Sequence, residues 1–274
     1  MRVFYNVFLF CLLVSSPLVH AEKLQVGVSI APQKYLVERI GGENVNVITM
    51  LRPGDSTENF DPSPAQVRAL NEAAIYFPLG LEFERSWLQG FIDQNSKTRV
   101  VDCCSGVYAS NREGLDKHAW ISVRNAGRLA KLIHDELLAI DADNAAHYAE
   151  NYAQLSSDLA MLDEEITASL EQRRTDYFIV SHAAFGHFAA DYGLKQLALE
   201  EGGIEVGAKS LIRLARKARS EKITTLFTQQ QHPSTSALAL AREINAQLVE
   251  IDPLPLDYIS GMREIARQVA IATR

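Results

Sequence analysis

Apolar side chains recur at helical spacing through one long stretch in the middle of the chain. Steps of three or four residues separate them, which places them along one face of an α-helix. The stripe consists of Tyr148, Tyr152, Leu155, Leu159, Leu162, Ile166 and Leu170. With Asp141 and Asp143 as N-cap candidates, it predicts a helix from about Asp143 to Arg173, roughly 45 Å long at 1.5 Å per residue. We interpret this helix as a connection between two α/β lobes; membership of a helical bundle is the alternative.

Short β-rich runs lie on both sides of this helix and alternate with helical segments. The runs before it are Leu24–Ile30, Val45–Leu51, Ala74–Leu79 and Thr98–Asp102. The runs after it are Tyr177–Ser181, Leu194–Leu199, Ile223–Phe227 and Gln247–Ile251. This alternation has βαβ spacing and predicts largely parallel sheets, which makes the helical-bundle alternative less favoured.

The predicted organisation is an α/β protein of two lobes, residues 22–122 and 174–274. A helical connection over residues 123–173, including the long helix, joins them. Two segments lack a regular pattern and are expected to be irregular: the stretch from Cys103 to Lys117, and the acidic, glycine-bearing loop Glu200–Val206.

The first 21 residues have the pattern of a signal peptide. Arg2 supplies a positive charge, Val7–Val14 an apolar core, and the segment ending at Ala21 a small-residue cleavage site. The apolar core is too short to span a bilayer, and Cys11 within it is not placed as a lipoprotein cysteine. We therefore expect a mature protein that starts near Glu22, is exported to the periplasm and has no membrane anchor.

Composition narrows the function classes only slightly. The net charge of −7 argues against nucleic-acid binding and favours cations or a membrane-bound partner, although solubility alone explains it equally well. The two cysteines beyond the signal peptide, Cys103 and Cys104, are adjacent, and vicinal cysteines seldom reach disulfide geometry. They could bind a soft metal ion, but two bystander residues are the favoured interpretation.

Metal-ligand side chains follow four of the predicted strands. In open parallel sheets, ligands bind in the crevice at the carboxyl ends of the strands. Two candidates follow strands of the first lobe, Glu58 and His118, and two follow strands of the second, His182 and Asp252. Imidazole and carboxylate together suit a divalent cation such as zinc or manganese. The sequence therefore predicts a metal site between the lobes.

Five segments resemble motifs of a known family, the metal-binding solute-binding proteins of ABC importers for zinc and manganese, and most closely its zinc-uptake branch. They are Val28–Tyr35 (VSIAPQKY), Pro53–Pro64 (PGDSTENFDPSP), Asp116–Trp120 (DKHAW), Ser181–Gly193 (SHAAFGHFAADYG) and Asp252–Met262 (DPLPLDYISGM). The resemblance implies two α/β lobes joined by one long helix, in agreement with the pattern above. It also implies a periplasmic receptor that hands Zn²⁺, or alternatively Mn²⁺, to an inner-membrane ABC permease. We expect such a receptor to be a monomer.

The resemblance implies a ligand set with one departure. His118, His182 and Asp252 match the ligand positions of its motifs. Glu58 stands where the family usually has histidine, and Thr57 replaces a proline. Four protein ligands leave no open position, which suits capture better than catalysis, and two carboxylates balance the charge of the cation.

Other functions and other histidines are weaker candidates. An exported metallohydrolase with the same ligands is the alternative from a different class, but the sequence contains neither HExxH nor GxSxG. A chaperone or adhesin with an incidental metal has no positive feature. Among the remaining histidines, His187 is expected to pack near the site, and His134 and His147 to be solvated or packed. His232 follows the end of a strand and could reach the cleft, but a capping role is favoured. Glu201 and Glu205 could line the rim of the cleft, with surface charge as the default expectation.

Overall fold

Two four-stranded parallel sheets form the framework of the protein. The computed structural model describes residues 22–95, 97–103, 109–111, 114–201 and 204–274, so the predicted signal peptide and Cys104 lie outside the described residues. The first sheet has the order β2-β1-β3-β4, with β1 Leu24–Val28, β2 Val45–Thr49, β3 Ile75–Phe77 and β4 Arg99–Val100. The second has the order β12-β11-β7-β8, with β7 Tyr177–Val180, β8 Lys195–Ala198, β11 Thr225–Thr228 and β12 Gln247–Glu250. All pairings within both sheets are parallel.

Helices connect these strands. They are α1 Ala31–Gly41, α2 Pro64–Leu70, α3 Leu88–Gln94, α4 Val123–Ile140, α5 Ala145–Ser169, α6 Gly186–Asp191, α7 Ala208–Ser220, α8 Thr235–Ile244 and α9 Tyr258–Ala272. Several begin at the side-chain caps that their sequences offer, since Ser122, Ser234 and Asp257 each accept a hydrogen bond from the first turn of α4, α8 and α9. Within the described residues, no helix is both long and apolar enough to cross a bilayer.

The predicted long helix is present as α5, and the predicted fold class is confirmed. At 1.5 Å per residue its 25 residues span about 37 Å, shorter than expected from the sequence. It starts after a 3₁₀ turn at Ala142–Asn144. It ends at Ser169, because the chain then turns so that the N–H groups of Arg174 and Thr175 reach the carbonyl of Thr273 at the end of α9. The apolar stripe is buried against α1, α4 and α9, with Tyr152 partly buried.

Two short hairpins correct the expectation of irregular chain. In the first hairpin, β5 (Ala109–Asn111) pairs antiparallel with β6 (Gly114–Asp116). The second pairs β9, Glu200–Glu201, with β10, Ile204–Glu205. Strands of two or three residues are too short to carry an alternating pattern, so the sequence did not reveal them. Both hairpins supply carboxylates to the site described below.

A buried carboxylate organises the first lobe beneath the ends of its strands. Glu84 accepts hydrogen bonds from the N–H groups of Leu79 and Leu81 at 3.1 and 2.8 Å and from the hydroxyl of Tyr76 at 3.0 Å. It also contacts the hydroxyl of Ser29. Burial raises the pKa of Glu84, while these hydrogen bonds oppose the rise. This network fixes the ends of β1 and β3.

Candidate metal centre

Two imidazoles from distant parts of the chain meet in the cleft. His118 follows β6 and precedes a 3₁₀ turn at Ala119–Ile121, while His182 comes shortly after β7. Their Nε2 atoms lie 3.2 Å apart, and the ring planes are inclined by 80°. His182 is buried and His118 is partly buried. The structure thus brings together one predicted ligand from each side of the long helix.

A carboxylate holds the other nitrogen of each ring. Nδ1 of His118 lies 3.0 Å from Oδ1 of Asp116, and Nδ1 of His182 contacts Oε1 of Glu200. When Nδ1 of a neutral ring carries the hydrogen and faces the carboxylate, its Nε2 has a lone pair. Two lone pairs facing each other at 3.2 Å repel unless a cation lies between them. The arrangement is therefore suited to a shared proton or metal ion.

Both carboxylates are held in the ionised form. Burial by itself raises the pKa of Asp116, but the hydrogen bond and charge attraction from His118 outweigh it, and the net pKa is lowered. The pKa of Glu200 is lowered in the same way, with burial opposed by the hydrogen bond and charge of His182. Outer carboxylates of this kind fix the ring orientation of a metal-ligating histidine and raise its basicity.

Glu58 and His232 complete the cluster. Oε1 of Glu58 lies 3.5 Å from Nε2 of His182. The His232 ring stacks on the His182 ring with centroids 3.9 Å apart and planes inclined by only 2°. Burial, followed by the charge of His182, lowers the pKa of His232 to about 4, which leaves its ring neutral at neutral pH. Within the described residues, Glu58, His182 and His232 form the one group whose ligand atoms all lie within 4.8 Å of one another.

His232 and Glu200 contact His182 in the site, although neither was predicted as a site residue. The expected capping role of His232 is wrong, because Ser234 caps α8. Its place shortly after β11 was the available signal, since that is where the crevice of a parallel sheet lies. Glu200 was assigned only to an acidic loop. Glu205, expected to carry surface charge, is exposed but accepts hydrogen bonds from Ser234, Thr235 and Ser236.

Asp252 lies beside the cluster. Neither Asp252 nor His118, whose Nε2 approaches that of His182, is part of the group within 4.8 Å. The side chain of Asp252 is exposed, and Oδ1 accepts hydrogen bonds from the Leu254 N–H at 2.9 Å and from Gln231 Nε2 at 3.5 Å. The next residue, Pro253, lines the same pocket as His118 and His182. Its role as a ligand stays a prediction.

The remaining histidines and Cys103 have other contacts. Nε2 of His187 lies 2.9 Å from the carbonyl oxygen of Asp116, and its ring is buried, so it supports the residue that orients His118. His134 stacks on Tyr152, and His147 is exposed on α5. The thiol of Cys103 is buried and donates to the carbonyl of Pro78 at 3.2 Å.

The pocket between these side chains is small and its walls are tied together. Its volume is about 10 Å³, and Thr57, His118, His182 and His232 are among the lining residues. That is room for about one water-sized particle, which is the size of a single ion. Across it, Nε1 of Trp120 donates to the carbonyl of Pro253 at 2.7 Å, which joins the segment after His118 to the turn that contains Asp252.

Comparison with known proteins identifies the family. The family model described as ZnuA, the periplasmic component A of the zinc-uptake complex, matches residues 26–272. The chain belongs to the ZnuA family. A crystal structure of ZnuA superposes with a TM-score of 0.88 at 32% identity, covering 92% of this chain and 100% of that one. The resemblance inferred from the motifs is therefore confirmed.

Curated relatives point in the same direction. A protein of Chlamydia muridarum named for metal binding is 27% identical over 259 residues, with 90% of each chain covered. The manganese-binding lipoprotein MntA of Halalkalibacterium halodurans is 28% identical over 66% of this chain and 61% of its own length. This ZnuA-family chain is accordingly a metal-binding receptor with the solute-binding role of zinc and manganese ABC importers. Proteins of this family act outside the cytoplasm.

Proposed function

We propose that this protein captures Zn²⁺ in the periplasm, after cleavage of its signal peptide, and delivers the ion to an inner-membrane ABC permease. The proposed ligands are Glu58, His118, His182 and Asp252. Asp116 and Glu200 orient the imidazoles of His118 and His182 through their Nδ1 atoms. The protein works as a monomer without a membrane anchor, and it binds its cargo without chemically changing it.

The separation of the two Nε2 atoms carries this proposal. Two nitrogen ligands of one tetrahedral zinc ion lie about 3.3 Å apart when the zinc–nitrogen bonds are about 2.0–2.1 Å. The Nε2 atoms of His118 and His182 lie 3.2 Å apart, and Glu58 Oε1 lies 3.5 Å from Nε2 of His182. An ion placed between them needs little movement of either ring.

The donor set favours zinc over manganese. Imidazole nitrogen binds zinc more strongly than manganese in the Irving–Williams order, whereas carboxylate oxygen suits manganese. Both donor types are present, and the name of MntA says that this relative binds manganese, so Mn²⁺ is the alternative cargo. The small volume of the pocket supports a receptor for a single ion over the metallohydrolase alternative.

Competitive titration of the metal-free protein with Zn²⁺ and Mn²⁺ tests the proposal, with elemental analysis of the purified protein and a hydrolase screen beside it. We expect tighter binding of zinc, one ion per chain and no hydrolysis.

Melting with and without a chelator gives a second measurement. A ligand that binds only the native state stabilises it by about 4 kcal/mol at a thousandfold excess over Kd. Identical melting temperatures in the presence and absence of zinc would refute the proposed function as a zinc receptor.

A further inference from the structure

A third imidazole of the second lobe lies beside the proposed ion position. His232 lies in the loop between β11 and α8, and its N–H donates to the carbonyl of Gln229 at 3.1 Å. The side chain of Gln229 in turn donates to the carbonyl of His182 at 3.3 Å. Backbone and side-chain bonds thus connect the loop of His232 to the loop of His182. These hydrogen bonds and the stacking on His182 fix the position of the His232 ring.

The loop of the first lobe offers only oxygen at this point. Residues Pro53–Pro64 contain no histidine, and Glu58 is their contribution to the cluster. A nitrogen of His232 and a nitrogen of His182 lie within 4.8 Å of a Glu58 oxygen and of each other. We infer that His232 is a third imidazole ligand of the ion and a fifth protein ligand beside Glu58, His118, His182 and Asp252, a coordination number to which zinc can expand. The second lobe then contributes two histidines and the first lobe one. This inference rests on the proposed function, because it concerns the same ion.

Binding requires the His232 ring to turn. The lone pair of an imidazole lies in its ring plane, and the planes of His232 and His182 are almost parallel, with centroids 3.9 Å apart. One ion cannot lie in both planes. Rotation of His232 about its Cβ–Cγ bond, a torsion with broad minima, directs a nitrogen towards the ion beside Nε2 of His182. Binding of the ion therefore replaces the stack with a metal–nitrogen bond.

The alternative is that His232 only covers the face of His182. The substitution His232→Phe separates the two roles, because phenylalanine keeps an aromatic ring for stacking but has no ligand nitrogen. His232→Ala removes both the ring and the nitrogen. His147→Ala, which changes an exposed histidine on α5, is the matched control. Circular dichroism and melting of the metal-free proteins check that each variant is folded.

X-ray absorption of the zinc-loaded full-length mature protein counts the imidazoles around the ion. We expect three in the parent and in His147→Ala, and two in His232→Phe and His232→Ala. Zinc affinity in competition titrations should fall in both His232 variants by at least about tenfold, the lower end for losing even an outer partner of a ligand.

Three results contradict the inference in different ways. An unchanged imidazole count in His232→Phe overturns it, even if the affinity falls, because the ring would then act by packing alone. Affinities equal to the parent in both variants overturn it and leave the receptor intact. A parent protein that binds neither Zn²⁺ nor Mn²⁺ refutes the proposed function itself, and the third ligand with it.

Discussion

The two histidines of the site are oriented by different kinds of contact. His118 is held by Asp116, two residues earlier, whose Oδ1 accepts from both the backbone N–H and Nδ1 of His118, each at 3.0 Å. His182 is held by Glu200, which belongs to a hairpin eighteen residues further along and also accepts from the Ala183 N–H at 3.4 Å. We call these pairs the local arm and the distant arm. The local arm forms within one turn of chain, whereas the distant arm requires the second lobe to fold.

The distant arm is anchored at a second point. Glu205, on the partner strand of the same hairpin, accepts from the hydroxyls of Ser234 at 2.6 Å and Ser236 at 3.0 Å, at the start of α8. The hairpin therefore links His182 to the helix that follows His232. Folding of the second lobe positions two histidines together, while the first lobe positions one histidine by local contacts.

Removing either imidazole should have the largest effect on binding. Zinc binding by four ligands in small domains is worth about 10–16 kcal/mol, or about 3 kcal/mol per ligand, which corresponds to roughly a hundredfold in Kd. We expect losses of this size for His118→Ala and His182→Ala in competition titrations, and none for His147→Ala. If His187→Ala proved more damaging than both, the assignment of the two ligands would be wrong.

Removing the outer carboxylates should cost less and should distinguish the arms. Losing such a partner typically weakens binding about 10- to 100-fold. Asp116→Asn should fall nearer the upper end, because Asp116 holds both ring and backbone of His118 and its side chain is only 6% exposed. Glu200→Gln should fall nearer the lower end, since Glu200 is more exposed, at 14%; asparagine and glutamine both still offer an oxygen acceptor to the ring. Zinc titrations of both variants measure the difference, and equal losses would remove the distinction between the arms.

Exchanging Glu58 should change selectivity more than total affinity. Glu58→Ala removes an oxygen ligand whose side chain is 30% exposed, so water can take its place and the loss should be smaller than for either histidine. Glu58→His should retain binding and shift preference towards Zn²⁺ over Mn²⁺, because imidazole favours zinc and carboxylate favours manganese. Parallel titrations with both ions measure the ratio. A Glu58→Ala protein with parental zinc affinity would exclude Glu58 from the site.

The helices and strands could be predicted from the sequence better than the contacts between distant residues. The apolar stripe from Tyr148 to Ile166 defined α5, and β-rich runs defined both sheets, because these patterns repeat over neighbouring residues. His118 and His182 were predicted as ligands because each follows a strand and lies in a recognisable motif. The structure places them 3.2 Å apart, although their identity as ligands is still a prediction.

Contacts between distant residues could not be predicted in the same way. The pairing of Glu200 with His182 depends on a hairpin of two-residue strands, which has no periodic signature. The stacking of His232 on His182 joins loops that follow neighbouring strands, β7 and β11, of one sheet. Strand order determines that contact, and a single sequence does not give strand order. The end of α5 at Ser169 likewise depends on α9, which lies about a hundred residues further along.

The smallest predicted effect on zinc affinity is that of Gly186, whose missing side chain leaves room for Asp116. A Cβ atom added at Gly186 would lie 2.4 Å from Oδ2 of Asp116, well inside the ordinary contact distance of 3.4–4 Å. Asp116 cannot retreat without loosening its bonds to His118, so Gly186→Ala should weaken zinc binding severalfold, less than the roughly tenfold lower end for losing the carboxylate. Gly90→Ala in α3, where nothing lies within 4 Å of the added atom, is the control.

A double-mutant cycle tests whether Gly186 acts on zinc binding through Asp116. If it does, Gly186→Ala should add no further loss of affinity in an Asp116→Ala background. An additive loss would mean that the glycine supports the site in some way other than by making room for Asp116.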